Sequence, residues 1–165
     1  MTMIAQMHPA IGYVETDYPG EGLPPGWDEQ HIVPVRPSPY HVWQDGAWVD
    51  AGIPADVLKA YAADARYRAE TGGLTINGQT IATDRESQTL ITGAYNLALQ
   101  DPNLTINWKT GAGFVQIDAP TMIAIATAVA QHVQSCFTKE AEVVADIEGG
   151  TITTYAQVDA AFATL

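Results

Sequence analysis

The sequence predicts an α+β fold: a mainly helical C-terminal domain with two short β-hairpins, preceded by an extended Pro/Trp-rich arm that carries a β-hairpin of its own. Three observations carry that expectation. Eight of the ten prolines and three of the four tryptophans lie before residue 55. From Pro54 onward the texture becomes alanine-rich, with apolar residues at helical spacing. The tetrapeptide LTIN occurs twice, at 74–77 and 104–107, each time ahead of a turn, a second apolar run and an acidic residue that opens a helix. The boundaries that follow are an arm over 1–53 and a domain over 54–165.

Within the arm, proline excludes helix interiors and central strands, so an extended course with turns and short edge strands is expected. Six aromatics, Tyr13, Tyr18, Trp27, Tyr40, Trp43 and Trp48, argue against a simple linker. Such rings are costly to leave in water and call for a surface to dock on. In YHVWQDGAWVD, Asp45-Gly46 suits a two-residue type I′ turn, in which both central residues take positive φ. That turn makes Trp43 and Trp48 cross-strand neighbours and sets Val42 opposite Val49. A lone hairpin is marginal in water, so it should lie against something.

PADVLKAYAADARYRAE reads as the first helix, with Pro54 in the tolerated first turn, Gly72-Gly73 at the stop, and Val57, Leu58, Tyr61, Ala65 and Arg68 at helical spacing. LTINGQTIA is a hairpin by its Asn77-Gly78 pair, which sets Ile76 opposite Gln79 and Leu74 opposite Ile81. TDRESQTLITGAYNLALQ reads as a second helix. Thr83 and Glu86 form a capping box there, Leu90, Ala94, Leu97 and Leu99 supply the apolar positions, and Asp101-Pro102 ends the run. The second LTIN copy repeats the plan: LTINW and FVQI flank KTGAG, a hairpin with a longer glycine-containing loop. Asp118 then caps the longest helix, with Pro120 in its first turn. Its stripe is Met122, Ile125, Ala126, Val129, Val133, Cys136 and Phe137, extended by Val144 and Ile147, and Gly149-Gly150 stops it. A capping box of Thr154 with Gln157 opens a short final helix.

The charge balance narrows the function. Seven basic residues against nineteen acidic ones give a net charge of -12. Such a chain is repelled by nucleic acid and by anionic membranes. The N-terminal MTMIAQMHPA lacks the basic and apolar regions of a secretion signal, and MIAIATAVA is too short to span a bilayer, so no membrane insertion is expected. A single cysteine, Cys136, excludes an intrachain disulfide and reads as a small buried thiol.

Candidate chemistry is sparse. His8, His31, His41 and His132 have no helical metal-ligand spacing, and no CxxC or HExxH is present. Asp28, Glu29 and His31 in WDEQH offer ligand types but read as a solvated turn. Asp84-Arg85-Glu86 suits a helix start, where acidic groups complement the backbone dipole. TGAG lacks the lysine and hydroxyl residue of a phosphate loop, and Ser38, Ser87 and Ser135 sit in no nucleophile elbow. No catalytic residue, metal or cofactor is expected.

The motifs ETGGLTING, TDRESQ, INWK and FVQIDA, spread over roughly residues 60 to 145, resemble a domain of unknown function found in small tail-associated proteins of tailed phages and prophages. The HVQSCF segment and the YAQVDAAF tail fit the same family. YHVWQDGAWV is similar, more weakly, to segments of tail-fibre assembly proteins. The resemblance implies a non-enzymatic structural component of the tail fibre or baseplate region, made in the host cytoplasm and carried in the virion. Its implied partner is a tail-fibre or baseplate protein, or a neighbouring copy in a homo-oligomer. A tail-fibre assembly chaperone is the alternative; a host-receptor binder and a glycan-active protein rank below it. Trp27, Tyr40, Trp43 and Trp48 are the candidate partner contacts, since interface energy concentrates in such side chains. Asn77, Gly78, Gly111 and Gly113 are the candidate exposed hairpin tips.

Overall fold

The computed structural model describes residues 2–110 and 113–165. The chain divides into two compact units, one ending at Gly52 and one beginning at Ile53. The architecture is mixed α and β, with four α-helices and several short antiparallel hairpins among the described residues.

The first unit contains more β-structure than an extended arm suggests. Strands β1 (Met3–His8) and β2 (Gly12–Asp17) form a six-pair hairpin, and β3 (Ile32–Val33) adds to the other edge of β1, giving the order β2-β1-β3. Proline here punctuates rather than prevents pairing. Pro9 lies in the turn after β1, Pro19 follows β2, and Pro34 follows the edge strand β3, where a missing N–H costs nothing. Asp28 caps a one-turn 3-10 helix (Glu29–His31) by accepting from the Gln30 N–H. Strands β4 (His41–Gln44) and β5 (Ala47–Asp50) pair in the expected register, Trp43↔Trp48 and Val42↔Val49. Asp45 and Gly46 both have positive φ, 51° and 83°, as a type I′ turn requires.

The second unit is organised by its longest helix. Helix α1 (Ala55–Thr71) leads to the hairpin of β6 (Leu74–Ile76) and β7 (Gln79–Ile81), then to α2 (Arg85–Gln100). Strands β8 (Thr105–Thr110) and β9 (Gly113–Asp118) precede α3 (Ala119–Glu148), and α4 (Tyr155–Phe162) closes the chain. Helix α1 runs antiparallel to α3: Lys59 pairs with Glu148 at 2.5 Å, Arg66 with Glu140 at 2.9 Å, and the Ala69 carbonyl lies 3.1 Å from His132 Nε2. Helix α2 continues in the same direction, from Gln88 beside Val133 to Ala98 beside Met122. Helices α1 and α2 are thus consecutive halves of one arm laid against the thirty-residue α3, with the β6–β7 hairpin looped out at the break. A thirty-residue helix is about 45 Å long, enough to serve both.

The core follows that division. Leu58, Ala62, Ala65, Val143, Ile147, Val158 and Phe162 join α1, α3 and α4. Ala94, Ala98, Ala119 and Met122 join α2 to the start of α3, with Ile106, Trp108 and Ile117 of the β8–β9 hairpin packed over them.

Several local expectations change. Helix α2 buries Ile91, Ala94 and Ala98, while Leu90, Leu97 and Leu99 are 57%, 57% and 55% exposed. Small alanines occupy the contact line because the two helices approach closely there, and the larger leucines fall on its flanks. In α3, Val143 rather than Val144 enters the core, and Phe137 remains 43% exposed. The cap of α2 is Asp84, not Thr83: its carboxylate accepts from the Glu86 and Ser87 N–H groups. Thr83 is instead buried, donating to the Glu70 carbonyl at 2.6 Å and accepting from the Gly73 N–H at 2.9 Å. It pins the two ends of the β6–β7 excursion together. The β8–β9 ladder runs through Lys109↔Phe114 to Thr110↔Gly113, well into the segment expected as loop. The Asp118 cap and the Thr154–Gln157 capping box form as expected.

Candidate functional site

The aromatic residues of the first unit assemble around the β4–β5 hairpin. Trp43 and Trp48 meet edge to face with ring centroids 5.1 Å apart, and Tyr13 meets Trp48 at the same distance in a near-perpendicular contact. The Trp48 indole donates to the Pro34 carbonyl at 2.6 Å, and the Arg36 guanidinium lies 4.9 Å above the Tyr13 ring. The Tyr13 hydroxyl donates to Glu15 and accepts from the Arg36 N–H at 2.8 Å. Burial, reinforced by Glu15, pushes this phenol above its ordinary range. Side chains in this hairpin alternate, so Trp43 and Trp48 share one face while Val42 and Val49 share the other. The tryptophan face turns toward Tyr13. The valine face is open, with Val42 48% and Val49 44% exposed.

Of the four contact candidates, Trp43 and Trp48 are therefore brought together and half-buried within their own unit. Trp27 and Tyr40 are half-buried as well, Trp27 in the turn closed by its N–H to the Pro24 carbonyl. Sequence reasoning missed Tyr13 as the third ring of the cluster and the valine pair as its outward face. The alternation that places the valines was already implied by the Asp-Gly turn. The WDEQH segment is a capped turn in which His31 Nδ1 lies 3.3 Å from Asp28.

The candidate hairpin tips sit at turns where they are described. Asn77 and Gly78 are exposed with φ of 51° and 78°, and Gly113 is exposed with φ of 123°. Gly111 lies outside the described residues. Phe114, beside that second tip, is 75% exposed and was not anticipated.

A third cluster had no counterpart in the sequence reading. The Glu70 carboxylate is completely buried at the break between α1 and α2. It receives Arg66 at 2.5 Å, Arg85 at 2.7 Å and the Gln88 amide at 3.2 Å, while Arg66 also reaches Glu140. Although burial works against its charge, the hydrogen bonds that Arg66 donates to Glu140 and Glu70 hold it protonated beyond its ordinary range. Every buried polar side-chain atom among the described residues has a partner, so no group in this cluster awaits a ligand. Nearby, His132 Nε2 faces the Ala69 carbonyl at 3.1 Å and the Cys136 sulfur at 3.8 Å. A carbonyl only accepts, so Nε2 carries the proton and is no base for the thiol. Burial, aided by the Glu70 charge, raises the Cys136 thiol above its usual value. This cluster splices two helices; it does not present an activated nucleophile. Its sequence signal was the Arg66/Glu70 pair at i,i+4 spacing.

A family model described as a domain of unknown function (DUF4376) matches residues 54–162, more than half of the chain. No curated protein and no solved structure matches.

Proposed function

We propose, from the premise that the chain belongs to the DUF4376 family, that it is a non-enzymatic component of a bacteriophage tail, positioned in the fibre or baseplate region of the virion. The helical second unit is the body, and the aromatic first unit is the docking element for a fibre or baseplate protein. The phage assignment rests on the resemblance of ETGGLTING, TDRESQ, INWK and FVQIDA to tail-associated proteins.

The observation that carries the docking role is the β4–β5 hairpin. Its tryptophans are immobilised against Tyr13 and the Pro34 carbonyl, while Val42 and Val49 face outward. A rigid ribbon with an apolar outer face and partly accessible rings at its base is an economical contact surface, because little side-chain freedom remains to be lost on binding. Trp27, Tyr40, Trp43 and Trp48, each half-buried, would supply anchoring area through the parts of their rings that remain accessible.

Mass spectrometry of purified virions tests this reading. The protein is expected in the particle in stoichiometric amounts with other tail components, and its absence from mature virions would sink the structural role. Absence from the particle, combined with a fibre that is insoluble unless this protein is co-expressed, would instead select the assembly-chaperone alternative.

A further inference from the structure

Charge is distributed unevenly along this chain. All 26 Asp, Glu, Lys and Arg side chains lie outside two stretches, the fourteen residues 87–100 of α2 and the twenty residues 119–138 of α3. These two stretches are the ones that pack against each other in the second unit. Between them runs an open groove of about 630 Å³, floored by Ile91, Tyr95, Val129 and Val133 and rimmed by glutamines and threonines. Leu99, one turn beyond Tyr95 and 55% exposed, continues the apolar floor at one end, and at the other the Arg66 guanidinium covers Phe137, 4.6 Å from its ring, so the uncharged floor stops at Val133. A solvent face of a soluble helical domain ordinarily carries about a quarter to a third charged residues. This one carries none.

We infer that the uncharged α2–α3 groove is a self-association surface, occupied by the same groove of a second copy of this chain. Electrostatics selects that occupant. Each copy bears a net charge of -12, so two copies repel wherever acidic side chains face each other. The groove offers an extended helical face where they meet without that penalty. A different partner drawn in by the acidic surface would be basic and would settle on the charged faces, where its charges are answered.

The rim chemistry is self-complementary. Gln131 and Gln134 each carry a donor and an acceptor, so a two-fold arrangement pairs each amide with its counterpart, while Gln88, which donates to Glu70 and Thr83, and the Thr92 and Thr127 hydroxyls, which donate to the Gln88 and Ile123 carbonyls, add acceptors. Ala126 and Ala130, one turn apart on the α3 side, let the backbones approach. The strip is about 20 Å long over α2 and about 20 Å wide across two helices, on the order of 400 Å² in projection. That is about half of the ~800 Å² that each partner of a standard interface contributes, the size of a weak, concentration-dependent contact.

Sedimentation velocity and light scattering on the full chain, over a range of concentrations and salt, test this. The expected result is a dimer that strengthens with salt, because salt screens the mutual repulsion while the uncharged contact loses nothing. Ala130→Glu and Thr127→Lys place a charge in the strip and are expected to weaken association about a hundredfold or more, with unchanged helical circular dichroism. Ala60→Glu, an exposed position on α1 outside the groove, is expected to associate like the natural chain. Hydrogen exchange of the natural chain supplies an independent readout: protection over 88–95 and 126–134 should rise with concentration. A natural chain that stays monomeric at every concentration and salt overturns the inference. So does association that survives both groove substitutions, or a concentration dependence of exchange that maps elsewhere.

Discussion

Glu70 is the residue whose environment departs furthest from expectation for its type. A carboxylate with no solvent exposure persists because Arg66, Arg85 and Gln88 satisfy it from three directions. Removing one partner of a buried pair leaves the other uncompensated, which typically costs about 3–5 kcal/mol. Glu70→Ala is therefore expected to lower unfolding free energy by about that amount in chemical denaturation. Arg85→Ala should cost far less, about 1 kcal/mol or below, because that guanidinium is 55% exposed and water replaces part of its contact. Cys136 makes a second residue-scale prediction. Its thiol is fully buried and shifted upward by burial and by Glu70, so a thiol-specific reagent should label it at the rate of opening of the second unit. Rapid stoichiometric labelling of the folded protein would contradict the burial.

The hairpins and caps carry the predictions that belong to elements. At the β6–β7 turn, Gly78 has φ of 78° and open space where a Cβ would stand, so a side chain there meets conformational strain and no clash. Gly78→Val should cost about 1–2 kcal/mol in stability, the left-handed penalty of an L-residue, and Gly78→Asn markedly less. The helix caps predict a pH dependence. Hydrogen bonds from the Ser87 side chain and backbone lower the Asp84 pKa, and those from Thr121 lower that of Asp118. A carboxylate lowered in the folded state contributes stability that is present above its unfolded pKa of about 3.9 and lost as pH falls through the folded value. Denaturation midpoints should thus decline below about pH 4, and Asp84→Asn combined with Asp118→Asn should flatten part of that decline, since asparagine caps without titrating.

At the scale of the whole molecule, the division at Gly52–Ile53 sets the expectation. The core that joins α1, α3 and α4, and the one that joins α2 to α3, lie wholly within the second unit. Residues 53–165 produced alone should therefore fold cooperatively with the helical circular dichroism of the second unit intact. Limited proteolysis of the full chain should release that fragment. A fragment without cooperative unfolding would show that the first unit is needed for the fold.

Turn chemistry, charge and two of the helix caps were local properties, and the sequence determined them by itself. Asp45-Gly46 and Asn77-Gly78 demanded positive φ at both positions and so imposed two registers residue for residue. Asp118 and the Thr154–Gln157 pair placed two helix starts, because a cap depends on neighbours three residues away. The prolines of the first unit misled only by being weighed as breakers, when they stand between strands. Tertiary structure decided what depends on partners distant in sequence. It reassigned Thr83 from a cap to a buried tie because Glu70 and Gly73 arrive beside it. It turned three leucines of α2 outward because α3 approaches along the alanines. It brought two uncharged stretches, separated by a hairpin, into one continuous face, since only the antiparallel course of α2 on α3 sets them side by side.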